Sequence, residues 1–443
     1  MQGDHPRGRI LANIAKPAGS FWKTSKLTAR ILIGRQAEPT QEQYEQFVDL
    51  MFEGDPLGDA VAAWMLKEGV GRSMKTFDHA LRHGIASIES PPEPLRTLFE
   101  QVDRRPLWLD KQMLLAGQRA AQRAGALMPY ILGDLALVGG YVTMGAMNKS
   151  LVATGALAPG GSARRLYETL CWWLDVTGDH GLERYAPGFI STVKVRVMHA
   201  LVRIRLSRDP SWRFEAWGAP LSQAHLATTN QAFASAYITL ARGFGVRYSA
   251  SEIESIMHLF RYAGLLMGVR EEYCCATVRE GFRLITMSHA TSPPPDEDAV
   301  KLAEGYFEGG LDFRTRMPKW PPMQTLGGAL SRLFLQSRIG TLRALLGEHD
   351  ADLLKIPPAG ISKAFPAVLL GTTLAAQAAT SFLPDARALQ ARIGRRIQLG
   401  IKEMSPLGGE GPISYQPYEH REGAERRAMR PHAVRAAPQS SQR

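Results

Sequence analysis

Apolar residues along this chain recur at three- and four-residue intervals, the spacing that lines up one face of a helix. Segments 41–51, 58–68, 74–88, 111–127, 131–154 and 163–174 carry the pattern. So do 188–207, 221–242, 251–267, 272–287, 296–304 and 323–346. No stretch alternates apolar and polar residues between tight hairpin turns, so strands are not expected. Proline and glycine punctuate the helices at 90–94, at Pro159-Gly160-Gly161, at Gly218-Ala219-Pro220 and at 292–295. The pattern predicts an all-α fold.

Two stretches are apolar enough to suggest a membrane. Residues 127–147 contain Pro129, Asp134 and Gly139-Gly140, which suit a buried central helix better than a lone span. Residues 364–383 are rich in Ala and Leu, with Gln377 and several Ser and Thr as their polar groups. That stretch is the candidate for docking at a membrane interface, close packing of small residues being the alternative.

Composition narrows the class. The chain has 443 residues, 45% hydrophobic and 21% charged, enough for a large core and unlike a disordered protein. Cys171, Cys274 and Cys275 form no disulfide framework and no metal-site spacing, as expected in a reducing compartment. The first residues lack an arginine pair followed by a long apolar run, so a cytoplasmic protein is expected. The net charge of +11 is concentrated towards the ends, with seven Lys/Arg against one acid in residues 1–35. Such an excess serves solubility or attraction to an anionic membrane surface; no groove-reading motif or aromatic platform points to nucleic acid. The organisation expected is a basic extension at 1–40, a helical domain at 41–300, C-terminal helices packed on it at 301–404, and a disordered basic tail at 405–443.

The candidate chemistry centres on Lys194-Val-Arg196-Val-Met-His199-Ala-Leu-Val-Arg203. Arg196 and Arg203 stand at i−3 and i+4 from His199, so the three share a side of the helix. A neutral imidazole there can ligate a metal and the arginines can meet anionic groups; a core histidine on a cationic helix is the other reading. Upstream, Arg165 and Thr169 share a face at i,i+4, with Glu168 beside them and Trp172-Trp173 following. The pair His79/His83 lacks any accompanying metal-site logic, and Glu254…His258 has the wrong spacing for a di-iron helix motif.

Four segments in order, Phe52-Glu53-Gly54-Asp55-Pro56-Leu57, Arg164 to Trp173, Lys194 to Arg203 and His258 to Val269, resemble the haem-b oxygenase family of latex clearing protein and the MpaB oxygenases. The resemblance spans roughly residues 45–290 and implies a helical, globin-like haem-binding core. It implies haem b (iron) as cofactor, O2 as co-substrate and a hydrophobic, isoprenoid-like small molecule or polymer as substrate. His199 matches the proximal iron ligand, and Arg165 and Thr169 match the arginine and threonine near the haem, with Glu168 as a further candidate catalytic group. Arg196 and Arg203 are then expected to pair with the haem propionates. This chain departs from the family twice: Glu168 stands where some members carry a distal lysine, and Lys149 where they carry an acidic base. The departures keep a haem-binding sensor or carrier, and a helical interaction protein, as competing readings.

Overall fold

The computed structural model describes residues 38–155, 161–308 and 311–405, together with Ile10, Leu11 and Ile14. Most of the N-terminal extension and nearly all of the basic tail lie outside the described residues. Helices α1 to α5 are Gln41–Leu50, Pro56–Glu68, Val70–His83, Glu93–Asp103 and Lys111–Gln122. A π-wound stretch, Pro129–Val138, runs into α6 (Gly139–Thr143), followed by α7 (Gly145–Ala153), α8 (Gly161–Val176), α9 (Pro187–Ser207) and the short α10 (Phe214–Trp217). Next come α11 (Gln223–Gln231), a second π-wound stretch (Ala232–Ala236), α12 (Tyr237–Gly243), α13 (Ala250–Leu266) and α14 (Val278–Thr291). The last are α15 (Glu297–Glu308), α16 (Pro321–Leu346), α17 (Glu348–Leu353), α18 (Phe365–Thr380) and α19 (Ala386–Met404). No strand occurs among the described residues, so the all-α expectation holds.

Local chemistry sets the helix ends. Thr40 with Gln43, Ser249 with Glu252 and Thr277 with Glu280 form reciprocal capping boxes that satisfy the first free N–H groups of α1, α13 and α14. Asp110 and Ser222 cap α5 and α11. Proline sits in the first turn of α2, α4, α9, α16 and α18, where its missing N–H costs nothing. The helix read at 272–287 instead starts at Val278, since the Thr277 capping box outweighs the apolar pattern ahead of it. Cys274 and Cys275 therefore fall in a connecting turn, and all three cysteines are free and buried.

The long α9 packs against α2, α8 and α13 and forms the centre of the core. Helix α5 lies so close to α13 that a β-carbon on Gly117 would come within 2.1 Å of the Ser255 carbonyl oxygen. An aromatic cluster joins α8 to the second π stretch and α13: Trp172 meets Phe233 at 4.9 Å, and Trp173 stacks on Phe260 at 5.4 Å.

Of the apolar stretch 127–147, the part up to Thr143 belongs to a mostly buried central helix, Gly125–Thr143, as its Pro, Asp and Gly content implied. Asp134 in its middle is fully buried, and its Oδ1 accepts from Arg338 Nε at 2.9 Å, Arg338 Nη2 at 2.8 Å and Tyr306 OH at 2.9 Å. Burial pushes the carboxyl pKa up, and the guanidinium opposes that shift. The residue that argued against a membrane span thus fastens the central helix to α15 and α16.

Candidate functional site

Helices α7, α8, α9 and α11 and both π-wound stretches enclose a cavity of about 280 Å³. Its wall is mainly apolar, with Leu137, Tyr141, Leu166, Trp172, Met198, Val202 and Phe233 among the lining. Each π stretch contributes one wall residue, Leu137 from the first and Phe233 from the second, and such windings concentrate at functional sites because they re-aim side chains. The polar groups that reach the cavity include His199, His225, Arg165, Glu168, Thr169 and Asn230. Four of the six site residues read from the sequence, His199, Arg165, Glu168 and Thr169, therefore line one cavity.

His199 Nδ1 has no hydrogen-bond partner among the described residues. Burial, then the charges of Arg203 and Arg165, hold the imidazole pKa down at about 4, with Asp55 acting in the opposite sense. The ring is uncharged at neutral pH, so its lone pair is available to a metal without loss of a proton. Arg165 Nη1 reaches Thr154 Oγ1 and lies 3.4 Å from the Leu151 carbonyl oxygen, which sets the cation at the junction of α7 and α8. Glu168 is buried and accepts from Arg164 Nε at 3.1 Å. Asn230 Nδ2 donates to the Phe260 carbonyl at 2.9 Å and locks α11 against α13.

Arg196 and Arg203 are placed differently from the expectation. On α9 the cavity stripe runs through Val195, Met198 and Val202. The arginines sit on the opposite flank of His199, facing α2. Arg196 is fully buried and makes a bidentate pair with Asp55 at 2.6 and 2.7 Å, plus a bond to Gln101 Oε1 at 2.8 Å. Arg203 donates to Asp59 Oδ1 at 2.8 Å and to the Leu221 carbonyl at 2.6 Å. Neither lines the cavity. The fork of Arg196 is filled by protein acceptors, and Arg203 is held through Nε and Nη1 while its buried Nη2 lacks a hydrogen-bond partner among the described residues. Propionate pairing is thus replaced by helix-to-helix pairing. Shared helix side was too coarse a criterion, because an i−3/i+4 stripe and an i−4/i−1/i+3 stripe flank the same residue. Lys149 also leaves the site: it pairs with Asp296 and with Asp298 at 2.7 Å and lies over the Trp217 ring at 5.6 Å. Although burial works against its charge, these two carboxylates raise its pKa.

His225 was not singled out in the sequence. It lines the same cavity from α11, is 4% exposed, and its Nδ1 is also unpartnered. Burial brings its pKa to about 4. The only sequence signal was Ser222 three residues ahead, an N-cap that starts a helix there. His258, by contrast, plays a structural part: its Nε2 accepts from the Asp110 backbone N–H at 3.0 Å, at the start of α5.

Comparison with known proteins agrees with this architecture. A family model described as "ER-bound oxygenase mpaB/B'/Rubber oxygenase, catalytic domain" matches residues 122–379. The rubber oxygenase of Streptomyces sp. (strain K30) is 27% identical over 242 residues, which cover 52% of this chain and 56% of that protein, so the likeness spans little more than half the length of the relative. Among solved structures, latex clearing protein LCP in the closed state superposes with a TM-score of 0.55 over 79% of this chain and 91% of its own, at 19% identity, which is a likeness of fold. With the model spanning more than half of the sequence, the chain belongs to the family of MpaB-type and rubber oxygenases.

Proposed function

We propose that this protein is a haem-b-dependent oxygenase acting with O2 on an apolar, isoprenoid-like substrate. The observation that carries the reading is His199: an uncharged imidazole with an unpartnered nitrogen, on the wall of an otherwise apolar cavity. An imidazole, one cation and an apolar wall form a donor set that fits a haem. His199 would hold the iron, and Arg165, anchored by Thr154, is the cation on the cavity wall that a propionate would meet. Haem, when bound, supplies the iron at which O2 is taken up.

The chain's own groups do the rest. Arg165 offers N–H donors to negative charge that develops in the cavity, where low dielectric strengthens the interaction. Thr169 supplies a neutral donor. Glu168 is the carboxylate on the wall and can accept or return a proton, with Arg164 holding its orientation. Leu166, Trp172 and Phe233 exclude water and present an apolar surface to substrate. A haem-binding sensor or carrier is the second reading, and one observation favours it. Lys149, at the family's acidic position, is turned to Asp296 and Asp298, so among the described lining residues Glu168 is the one carboxylate left for proton transfer.

An absorption spectrum with a pyridine haemochrome assay, comparing wild type with His199→Ala, tests the proposal. A Soret band of b-type haem that is lost in the variant is the expected result. No haem after reconstitution would sink it. O2 uptake with apolar substrates then separates oxygenase from sensor.

A further inference from the structure

Helix α18 has no buried residue, and no charge occurs between Lys363 and Asp385. Its two faces differ in kind. Leu370 and Leu374 rest against Gly245, and Gln377 clamps the same loop by donating to the Gly245 carbonyl at 3.1 Å and accepting from the Arg247 N–H at 3.0 Å. At about 3.6 residues per turn, Val368, Thr372, Ala375 and Ala379 lie on the opposite face, and all four are open to solvent or nearly so. Ile361 ahead of the helix and Phe382 behind it add apolar surface, at 97% and 90% exposure.

The neighbouring α19 continues the surface. It carries five cations against one acid. Arg392 and Arg396 are exposed on its outer side, with Ile393 and Ile397 partly exposed beside them. No ion pair among the described residues engages Arg392 or Arg396. An uncharged, apolar ridge bordered by unpaired arginines matches a surface that is apolar below and anionic above. A second copy of the chain fits poorly, because a twofold contact through this ridge would bring like-charged rims together.

We propose that the outer faces of α18 and α19 form a docking surface for an anionic phospholipid bilayer, the ridge entering the acyl boundary and the arginines meeting the headgroups. The inference stands apart from the cavity chemistry. Flotation of the full-length protein with vesicles of phosphatidylcholine alone, or mixed with phosphatidylserine, tests it. Binding to the mixed vesicles is expected, weakened by salt, and reduced about ten-fold or more by the double change Arg392→Glu/Arg396→Glu. Val368→Glu, at a position already 51% exposed, is expected to reduce it comparably with an unchanged circular dichroism spectrum. Absence of wild-type binding to either vesicle, or binding that ignores both variants, overturns the proposal. So does concentration-dependent self-association in sedimentation that Val368→Glu abolishes, since that assigns the ridge to a second copy.

Discussion

At the scale of single residues, His199 marks a border. One flank of α9 faces the cavity and the other is tied to α2 through Asp55 and Asp59. The Asp55–Arg196 pair is enclosed tightly: a β-carbon on Gly58 or Gly268 would fall within 2.3 or 2.5 Å of the Asp55 carboxylate. Removing one partner leaves the other charge buried and alone, so Arg196→Met should cost about 3–5 kcal/mol of stability. The urea midpoint measures this, and Asp55→Leu in the same chain should restore much of the loss. A lowered haem affinity at full stability would instead return Arg196 to the propionate role. Three imidazoles, His199, His225 and His289, have pKa values brought down by burial from 6.5 to about 4. The unfolded chain takes up those protons near 6.5 while the fold refuses them until about 4, so stability is full above pH 6.5 and is lost as pH falls towards 4. Urea midpoints of the haem-free protein from neutral to mildly acidic pH should show that slope, and His225→Leu should flatten it. Glu168→Gln should slow O2 uptake by roughly 10²-fold if the carboxyl transfers a proton; an unchanged rate removes it from the mechanism. His199, Arg165, Glu168 and Thr169 were legible in the sequence because their spacing is local. His225 was not. It lies on a helix whose residues are mostly buried and largely polar, so no amphipathic stripe distinguishes its inner face from a solvated one.

At the scale of elements, the apolar period found most helices and misjudged those where another signal ruled. Helix α4 was hidden by Pro92 and Pro94, read as a stop although proline is tolerated in a first helical turn. Helix α3 ends at Gly84, whose φ of +87° closes it before the apolar residues at 85–88 that seemed to prolong it. The segment read as one helix over 131–154 breaks at Met144, and the two π-wound stretches carry no periodic mark at all. Helix α19 was obscured by its arginines. Close approach, too, has no sequence pattern. Gly117→Val should force α5 away from α13 and lower the thermal midpoint, at a cost of about 1–3 kcal/mol, while Gly71→Ala, in open space on a helix, should not lower it.

At the scale of the whole molecule, the helices after residue 300 do more than cover the core. The family match crosses that point without interruption, Leu302 is part of the cavity wall, and Arg338 with Tyr306 neutralises the one carboxylate buried in the central helix. A ribosome that has delivered only the first 300 residues has therefore released an apolar helix with a lone acid at its middle and an open-sided pocket. Such a nascent chain resembles an unassembled membrane segment more than a finished domain until α16 emerges. A premature stop in this region is expected to yield an aggregating fragment, not a shortened folded domain.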